Sequence, residues 1–293
     1  MNNTKISLFP LNISLLKNEI MIGSGTGFLY EYEEDIYLIT NYHVLTCREP
    51  KKPECLLPGY RDSPDRIHCL IPQFDEGSHH IAGELSLEID DNFTFYEHKD
   101  RSKGVDIVAI KIEIDDEQRS IITTQHDICL VEDIAVGVTS SLFIAGYPWG
   151  FSAEPSLPIW KKGTIASEPN FFSDGIPKIY IDTFSNPGMS GSPVFASEGR
   201  EDFIYNPKYE KIYKKSLNGD TESQKIIKKL DINNVVQTRK FNQFRLMGIY
   251  SGRVLFSEKD PQIGVFWPLT LLEELLSDSI EATNPYPPIK IDR

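Results

Sequence analysis

The stretch SNPGMSGSP, residues 185–193, directly precedes the apolar segment Val194-Phe195-Ala196. A serine hydroxyl acts as a nucleophile only where a tight turn exposes it and aims nearby backbone N–H groups at one point. Gly188 and Gly191 permit such a turn around Ser190, because neither has a Cβ atom that would clash. The same composition also occurs in ordinary glycine-serine loops, so Ser190 is a candidate nucleophile that needs partners elsewhere in the chain.

Two further residues could be those partners. His43 follows the apolar segment 36–39, and Thr40 or Asn41 could cap a short helical turn that presents its imidazole as a general base. Asp106 lies in VDIVAIKI, residues 105–112, whose apolar residues on both faces indicate a buried strand. A buried carboxylate needs hydrogen-bond donors, so Asp106 either orients a histidine or caps local backbone amides. A single histidine beside apolar residues is more often structural, and only the combination favours catalysis.

The rest of the chain consists of short β-rich segments between turns, which favours an all-β sandwich or barrel. One helix is predicted near the C-terminus, where Pro268 precedes a leucine stripe in residues 269–276. Residues 47–80 and 198–243 are interpreted as insertions, because the first is rich in proline and cysteine and the second in charge.

The composition excludes several classes of partner. The 293 residues are 40% hydrophobic, and their net charge of −13 argues against nucleic acid or an anionic membrane as the main partner. No run of 18 apolar residues is present, and the N-terminal segment lacks the features of a secretory signal. The cysteines fit a reducing compartment better than a disulfide framework. We therefore expect a cytoplasmic protein. The four cysteines are Cys47, Cys55, Cys69 and Cys129.

Three competing motifs fail on spacing. GSGTG, residues 23–27, does not fit the dinucleotide pattern G-x-G-x-x-G, and no helix pattern follows it. GMSGS, residues 188–192, departs from the α/β-hydrolase motif G-x-S-x-G, and that fold needs a histidine after the serine, whereas the last histidine here is His126. Zinc sites use closely spaced cysteine pairs, which are absent, so neither metal nor cofactor is expected. The residues considered for zinc are Cys47, Cys55, His68, Cys69, His79 and His80.

With histidine, aspartate and serine in this order, the sequence resembles the trypsin/chymotrypsin superfamily of serine proteases, and particularly its bacterial HtrA-like branch. The resemblance covers residues 20–277. It is carried, in the family's chain order, by GTGF (25–28), LITNYHV (38–44), DIVAI (106–110), AGYPWG (145–150), GTI (163–165), NPGMSGSP (186–193) and GI (248–249).

The resemblance implies an all-β fold of two six-stranded antiparallel barrels, with the site in the cleft between them and a short C-terminal helix. Residues 1–115 would form the first barrel, which carries His43, Asp106 and the insertion 47–80. Residues 116–135 would link it to the second barrel, 136–280, which carries Ser190, the insertion 198–243 and the helix. Residues 281–293 would be a tail.

The resemblance also implies roles for single residues. Ser190 would attack the scissile carbonyl of a protein or peptide substrate, His43 would accept and return the proton, and Asp106 would orient the imidazole. The backbone amides of Gly188 and Ser190 would form the oxyanion hole. A strand at residues 248–252 would pair with the extended substrate. The residues expected to bind substrate are Phe184, Ser185, Tyr250, Ser251 and Gly252.

Departures from the family pattern limit these expectations. Met189 and Phe184 stand where trypsin-type enzymes carry two aspartates, so activation by N-terminal cleavage and a preference for basic residues are not expected. A small or apolar residue at the cut site is expected instead. Few residues follow the predicted helix, so the PDZ domain of HtrA-like proteases is not expected either.

Two function classes stay open. The first is a serine endopeptidase controlled by a regulatory protein partner or a signal, for example within a bacterial stress or phage-defence module. The second is a catalytically silent binding module that keeps the protease fold, since fold does not determine function. The same site could also hydrolyse small esters.

Overall fold

A computed structural model describes residues 3–74, 80–128, 130–153, 156–170, 172, 175–230, 236–254, 261–282 and 286. The chain divides into two compact units. The first unit comprises Met1–Ser197 and Phe244–Arg293, and the second comprises Glu198–Gln243, which covers the predicted insertion 198–243. The chain is mostly β, which confirms the predicted class.

The strands are short and mostly antiparallel to their neighbours. Sixteen strands lie within the described residues: β1 Pro10–Lys17, β2 Ile20–Tyr32, β3 Asp35–Thr40, β4 Arg48–Glu49, β5 Lys52–Leu56, β6 Arg66–Phe74, β7 His80–Glu88, β8 Phe95–Glu97, β9 Val108–Ile112, β10 Ser141–Gly146, β11 Ile159–Ile165, β12 Ile179–Asp182, β13 Pro193–Tyr205, β14 Val236–Arg253, β15 Ile263–Pro268 and β16 Ile280–Ala282.

The prediction of two six-stranded barrels is not confirmed. Eight strands form one antiparallel sheet in the order β16-β8-β9-β3-β2-β1-β6-β7, whereas β10–β15 close into a six-stranded barrel in the order β10-β11-β12-β15-β14-β13. The strand β6 arises inside the predicted insertion 47–80, where it buries Ile67, Cys69 and Ile71 at every second position. It pairs with β1 on one side and β7 on the other. The second half of that stretch is therefore part of the sheet.

Helices are few and short. The predicted C-terminal helix is confirmed: it begins directly after Pro268 and buries Leu271, Leu272 and Leu275. Of the helices in the described part of the chain, none has both the length and the apolar character that a bilayer crossing requires. The helices are α1 Tyr42–Thr46, α2 Asp116–Ile121, α3 Pro207–Leu217, α4 Thr221–Ile227 and α5 Leu269–Ser277.

One hydrophobic cluster joins the eight-stranded sheet to the barrel. Phe9 and Phe28 from the sheet pack against Phe195 of β13, with ring centroids 4.9 Å apart for Phe9–Phe28 and 6.2 Å apart for Phe9–Phe195. All three rings are fully buried, and burial of such a side chain stabilises the fold by about 1.5–3 kcal/mol. Ile39 and Ile249 belong to the same cluster. The ends of β3 and β14 are thereby held beside the start of β13.

The C-terminal end of the described chain returns to the eight-stranded sheet. β16 pairs with β8, and Tyr286 donates a hydrogen bond of 3.2 Å from its hydroxyl to the carbonyl oxygen of Leu45 in α1. The guanidinium of Arg48 lies 5.3 Å from the centre of the Tyr286 ring. Residues 283–285 and 287–293 of the predicted tail lie outside the described residues.

Candidate active site

The strand β3 ends at Thr40, and the next residues present His43 on the first turn of α1. Asn41 is the N-cap residue by position, but its side chain does not cap the helix. Its Nδ2 atom instead donates a 2.6 Å hydrogen bond to the carbonyl oxygen of Asp106. The short helix is therefore tied directly to Asp106, which lies two residues before β9, although the sequence predicts a strand over residues 105–112. The expected side-chain cap from Thr40 or Asn41 is absent, and a tertiary hydrogen bond holds the turn instead.

His43 and Asp106 form a close pair. The Nδ1 atom of His43 lies 2.6 Å from Oδ2 of Asp106, and the backbone N–H of His43 donates to Oδ1 at 3.0 Å. Since an ionised carboxylate only accepts hydrogen bonds, the proton of the neutral imidazole is assigned to Nδ1. The lone pair is then on Nε2, which is the nitrogen that a general base would use.

A third donor reaches Asp106 from the barrel. The hydroxyl of Ser251 on β14 donates to Oδ2 of Asp106 at 2.6 Å, so the carboxylate joins the eight-stranded sheet to the barrel. Burial raises the pKa of Asp106, which is only 4% exposed. The charge of His43 and the hydrogen bonds from His43 and Ser251 outweigh that effect and hold the pKa below the ordinary aspartate value. Asp106 is therefore ionised at neutral pH.

Ser190 lies in a tight turn just before β13. Gly188 has φ = +92° and Gly191 has φ = +87°, both in the left-handed region that glycine adopts readily. A methyl group added to Gly252 would lie 3.3 Å from Oγ of Ser190, so the hydroxyl is next to the residue that follows Ser251. The structure thus brings Ser190, His43 and Asp106 to one junction. Among the described residues, no hydrogen bond joins His43 to the hydroxyl of Ser190.

The backbone amides expected to form the oxyanion hole lie in the same turn. The Pro187 carbonyl, which shares a peptide group with the N–H of Gly188, accepts a 2.7 Å hydrogen bond from Trp149. The Met189 carbonyl, which shares a peptide group with the N–H of Ser190, accepts from Ser192 at 3.2 Å. Within the described part of the chain, the N–H groups of Gly188 and Ser190 have no hydrogen-bond acceptor. These two N–H groups therefore stay the candidate donors of an oxyanion hole.

The five residues expected to bind substrate separate into exposed and buried ones. Phe184 is 57% exposed, and Lys161 contacts it through both its ring and its carbonyl oxygen. Gly252 is partly exposed beside Ser190. Ser185 and Tyr250 are buried, and their hydroxyl groups are hydrogen-bonded to each other. Ser251 directs its hydroxyl to Asp106, so that side chain serves the carboxylate.

Sequence reasoning missed two contributions to this site. Thr26 was identified only as part of the GTGF segment, yet its backbone N–H donates to the Ser190 carbonyl at 2.8 Å and its hydroxyl donates to the Gly188 carbonyl at 2.8 Å. The hydroxyl of Ser251 has no signal in the sequence that links it to Asp106, 145 positions away. For Thr26, the only local signal in the sequence is its position between two glycines, Gly25 and Gly27.

The three cysteine residues considered for zinc lie within the described part of the chain. Cys47, Cys55 and Cys69 are free thiols. Burial raises the pKa of both Cys47 and Cys69 to about 12, so these two thiols are protonated and unreactive. No group of three or more His, Cys, Asp or Glu residues within the described ranges could hold a metal ion. Cys129 and His79 lie outside the described residues.

A mostly β fold with a histidine-aspartate pair beside a serine in a tight turn is the arrangement of a serine protease. A family model described as a trypsin-like peptidase domain matches residues 25–200, which is more than half of the chain. This chain therefore belongs to the trypsin-like peptidase family, as the sequence predicts. No curated protein sequence matches it.

Solved structures similar to this chain include three proteases. One from M. tuberculosis in its active form aligns with 99% of this chain and 90% of that chain, at 12% identity and a TM-score of 0.48. A serine endoprotease from Yersinia pestis aligns with 95% and 68%, at 12% identity and a TM-score of 0.46. An HtrA-type protease variant with a tripeptide aligns with 92% of this chain, at 15% identity and a TM-score of 0.45. This chain spans 60% of the length of that last protein.

Proposed function

We propose that this chain hydrolyses peptide bonds through a triad of Ser190, His43 and Asp106 and an acyl-enzyme intermediate. The observation that carries the proposal is the 2.6 Å contact between Nδ1 of His43 and the buried, ionised Asp106. This contact leaves Nε2 as the basic nitrogen on a ring located at the same junction as Ser190.

The chemistry needs only groups of this chain and water. Oγ of Ser190 attacks the scissile carbonyl carbon while Nε2 of His43 takes the hydroxyl proton. The carbonyl oxygen becomes an oxyanion that accepts hydrogen bonds from the N–H groups of Gly188 and Ser190. The C–N bond then breaks as His43 gives its proton to the leaving amine. Water, deprotonated by His43, releases the acyl group and restores Ser190. No cofactor takes part.

The residues beside Ser190 support a substrate with a small residue at the cut site. The ring of Tyr250 is fully buried and packs over Gly264, where an added methyl group would lie 2.7 Å from the ring. Its hydroxyl is bonded to Ser185, five residues before the nucleophile. We propose that this buried ring, fixed by Ser185 and Gly264, limits the room for a large substrate side chain. The strand at residues 248–252 would pair with the substrate backbone.

The insertion 198–243 is the proposed place of regulation. It forms a compact unit of its own, with α3 and α4 in contact. Basic residues outnumber acidic ones in it, although the whole chain has a net charge of −13. Long ordered excursions often carry function. We propose that a protein partner or signal in the cytoplasm acts through this insertion, for example in a bacterial stress or phage-defence module, and that residues 47–80 assist it.

The test is covalent labelling with a fluorophosphonate probe together with cleavage of a casein substrate. Wild type is expected to be labelled at Ser190 and to cleave casein, while Ser190→Ala loses both. Ser192→Ala is the matched control, because this buried serine lies two positions away and its hydroxyl has no hydrogen-bond partner among the described residues. Labelling that persists in Ser190→Ala would remove Ser190 from its role. A folded wild type that is never labelled would favour the silent binding module.

A further inference from the structure

Thr26 touches the nucleophile turn at two points. It lies on β2, is fully buried, and belongs to the sheet that carries His43 rather than to the barrel that carries Ser190. Its N–H donates to the Ser190 carbonyl and its hydroxyl donates to the Gly188 carbonyl, each at 2.8 Å. The hydroxyl oxygen also accepts a hydrogen bond from the Tyr147 N–H at 3.1 Å. These contacts join two segments that lie more than 160 positions apart in the sequence.

We propose that Thr26 is a positioning residue that sets the two oxyanion-hole donors in place. The inference rests on the proposed function, because it assigns a task within the same hydrolytic site. Thr26 does not touch the substrate. It acts through the backbone of the turn.

The planarity of the peptide bond explains how Thr26 acts. In a trans peptide the C=O and N–H groups point in opposite directions, so holding one fixes the other. The peptides that carry the two oxyanion donors are held at their carbonyls by Trp149 and Ser192. The two peptides that alternate with them have their carbonyls at Gly188 and Ser190, and Thr26 holds both. Four successive peptide groups are thereby oriented, and only the two donor N–H groups are left without acceptors.

The hydroxyl of Thr26 has one possible orientation in this network. Because its oxygen accepts from the Tyr147 N–H, its single hydrogen is directed to the Gly188 carbonyl. The Thr26 carbonyl in turn accepts a 2.7 Å hydrogen bond from the hydroxyl of Thr40, at the end of β3 just before the helix of His43. Thr26 therefore connects the strand that leads to the base with the turn that carries the nucleophile. The network that holds the oxyanion donors consists of residues of this chain.

The experiment compares acylation rates of Thr26 variants. Thr26→Val keeps the shape of the side chain and removes the hydroxyl, whereas Thr26→Ser keeps the hydroxyl. Thr124→Val is the matched control, because Thr124 is equally buried and its hydroxyl is bonded to Asp127 in the linker. Readouts are the burst rate with p-nitrophenyl acetate as a function of its concentration, the fluorophosphonate labelling rate, and the folded fraction by circular dichroism.

We expect Thr26→Val to lower the acylation rate about tenfold to a hundredfold, somewhat less than the 10²–10³ lost when an oxyanion donor is removed outright. The Kd of the non-covalent substrate complex, obtained from the dependence of the burst rate on substrate concentration, changes by less than about twofold, because the donors act on the transition state and not on the ground state. The acylation rate of Thr26→Ser is expected to stay within about threefold of wild type, because serine keeps the hydroxyl that orients the turn. Thr124→Val is expected to react at the wild-type rate, because the Thr124 hydroxyl does not contact that turn.

Three results would overturn the inference: wild-type acylation in Thr26→Val, equal losses in Thr26→Ser and Thr26→Val, or a loss that only follows the unfolded fraction. If Thr26→Val does not fold, Thr26→Cys replaces it, since a thiol is a weak donor and predicts an intermediate rate. A wild-type rate in Thr26→Cys would overturn the inference as well. Failure of the wild type itself to react with either probe would overturn the proposed function, and the inference with it.

Discussion

At the scale of single residues, the Asp106 carboxylate contributes both to the proposed active site and to the stability of the fold. Removing an ionised carboxylate from water is expensive unless donors replace the lost hydration. Here the His43 ring, the His43 backbone N–H and the Ser251 hydroxyl supply them. Two of these donors come from the eight-stranded sheet and one from the barrel. The carboxylate thus orients the imidazole and also holds two parts of the first unit together.

Ser251→Ala tests this double role. The donor at 2.6 Å is lost, and hydrogen bonds to charged groups contribute about 1.5–3 kcal/mol. The pKa of Asp106 is lowered in the folded chain, so its stabilising effect is present above the unfolded value of about 3.9 and is lost as pH falls through the folded pKa. We expect Ser251→Ala to reduce the free energy of unfolding by about 2 kcal/mol at pH 7. The difference from wild type should shrink between pH 5 and pH 3.

Urea unfolding at a series of pH values measures this difference. The acylation rate at pH 7 is expected to fall about tenfold, because Asp106 orients the His43 imidazole less firmly; a tenfold loss corresponds to about 1.4 kcal/mol in the activation free energy. Ser277→Ala is the control, since that serine is exposed on α5 and bonds only to carbonyl groups of its own helix. A difference between wild type and Ser251→Ala that stays constant from pH 7 to pH 3 would contradict the assigned role.

At the scale of elements, the turn before β13 is shaped by a close approach of two backbones. A methyl group added to Gly188 would lie 2.3 Å from the Tyr147 carbonyl oxygen and 2.8 Å from the Trp149 nitrogen. Trp149 itself has φ = +56°, an uncommon value for a bulky residue, and its N–H reaches the Pro187 carbonyl. The short helix Pro148–Gly150 and the nucleophile turn therefore fit only while residue 188 has no side chain.

A pair of glycine substitutions separates backbone strain from this contact. Gly188 and Gly59 have nearly equal φ values of +92° and +95°, but an added methyl group at Gly59 meets nothing within 4 Å. Gly59→Ala is expected to cost only about 1–2 kcal/mol of left-handed backbone strain and to keep full labelling. Gly188→Ala adds the clash and displaces an oxyanion donor, so its fluorophosphonate labelling should fall at least about a hundredfold. Thermal melts and labelling rates measure both. Equal behaviour of the two variants would contradict the prediction.

At the scale of the whole molecule, the proposed triad and the charged insertion belong to different compact units. All three hydrophobic core clusters lie in the first unit, together with every residue of the proposed triad. The second unit has α3 and α4, with Asp220 capping α4 through a hydrogen bond to the Ser223 N–H. A regulatory partner could therefore bind the insertion without altering the cores that support the site.

Replacing residues 205–238 with a short Gly-Ser linker tests the regulatory proposal. The first unit retains its cores, so we expect the melting temperature to change by no more than about 2–4 °C, which is equivalent to about 1 kcal/mol for a domain of 150–250 residues. Casein cleavage or capture of a partner should change relative to the full chain. The same replacement combined with Ser190→Ala measures the casein cleavage that does not depend on the proposed nucleophile. A deletion variant that matches the full chain in cleavage and in partner capture would count against regulation through the insertion.

The sequence by itself determined the mostly β class, the C-terminal helix, and the three residues His43, Asp106 and Ser190 as candidates. These features are local: strand and helix signals come from periodicity within a few residues, and each candidate lies in a short motif whose order along the chain is readable. The eight-stranded sheet was not predictable in this way. Its strand β6 lies among prolines and cysteines, and β16 pairs with β8 across nearly two hundred positions of sequence.

Only the tertiary structure decided how the candidates are supported. The hydroxyl of Ser251 reaches Asp106 over 145 positions, and that of Thr26 reaches Gly188 over 162. A hydroxyl carries no sequence pattern that names its acceptor, because a hydrogen bond depends on distances of about 3 Å between atoms that only folding brings together. The sequence gives the residue types and their order directly. Which buried polar groups form hydrogen bonds depends on which segments the tertiary structure places side by side.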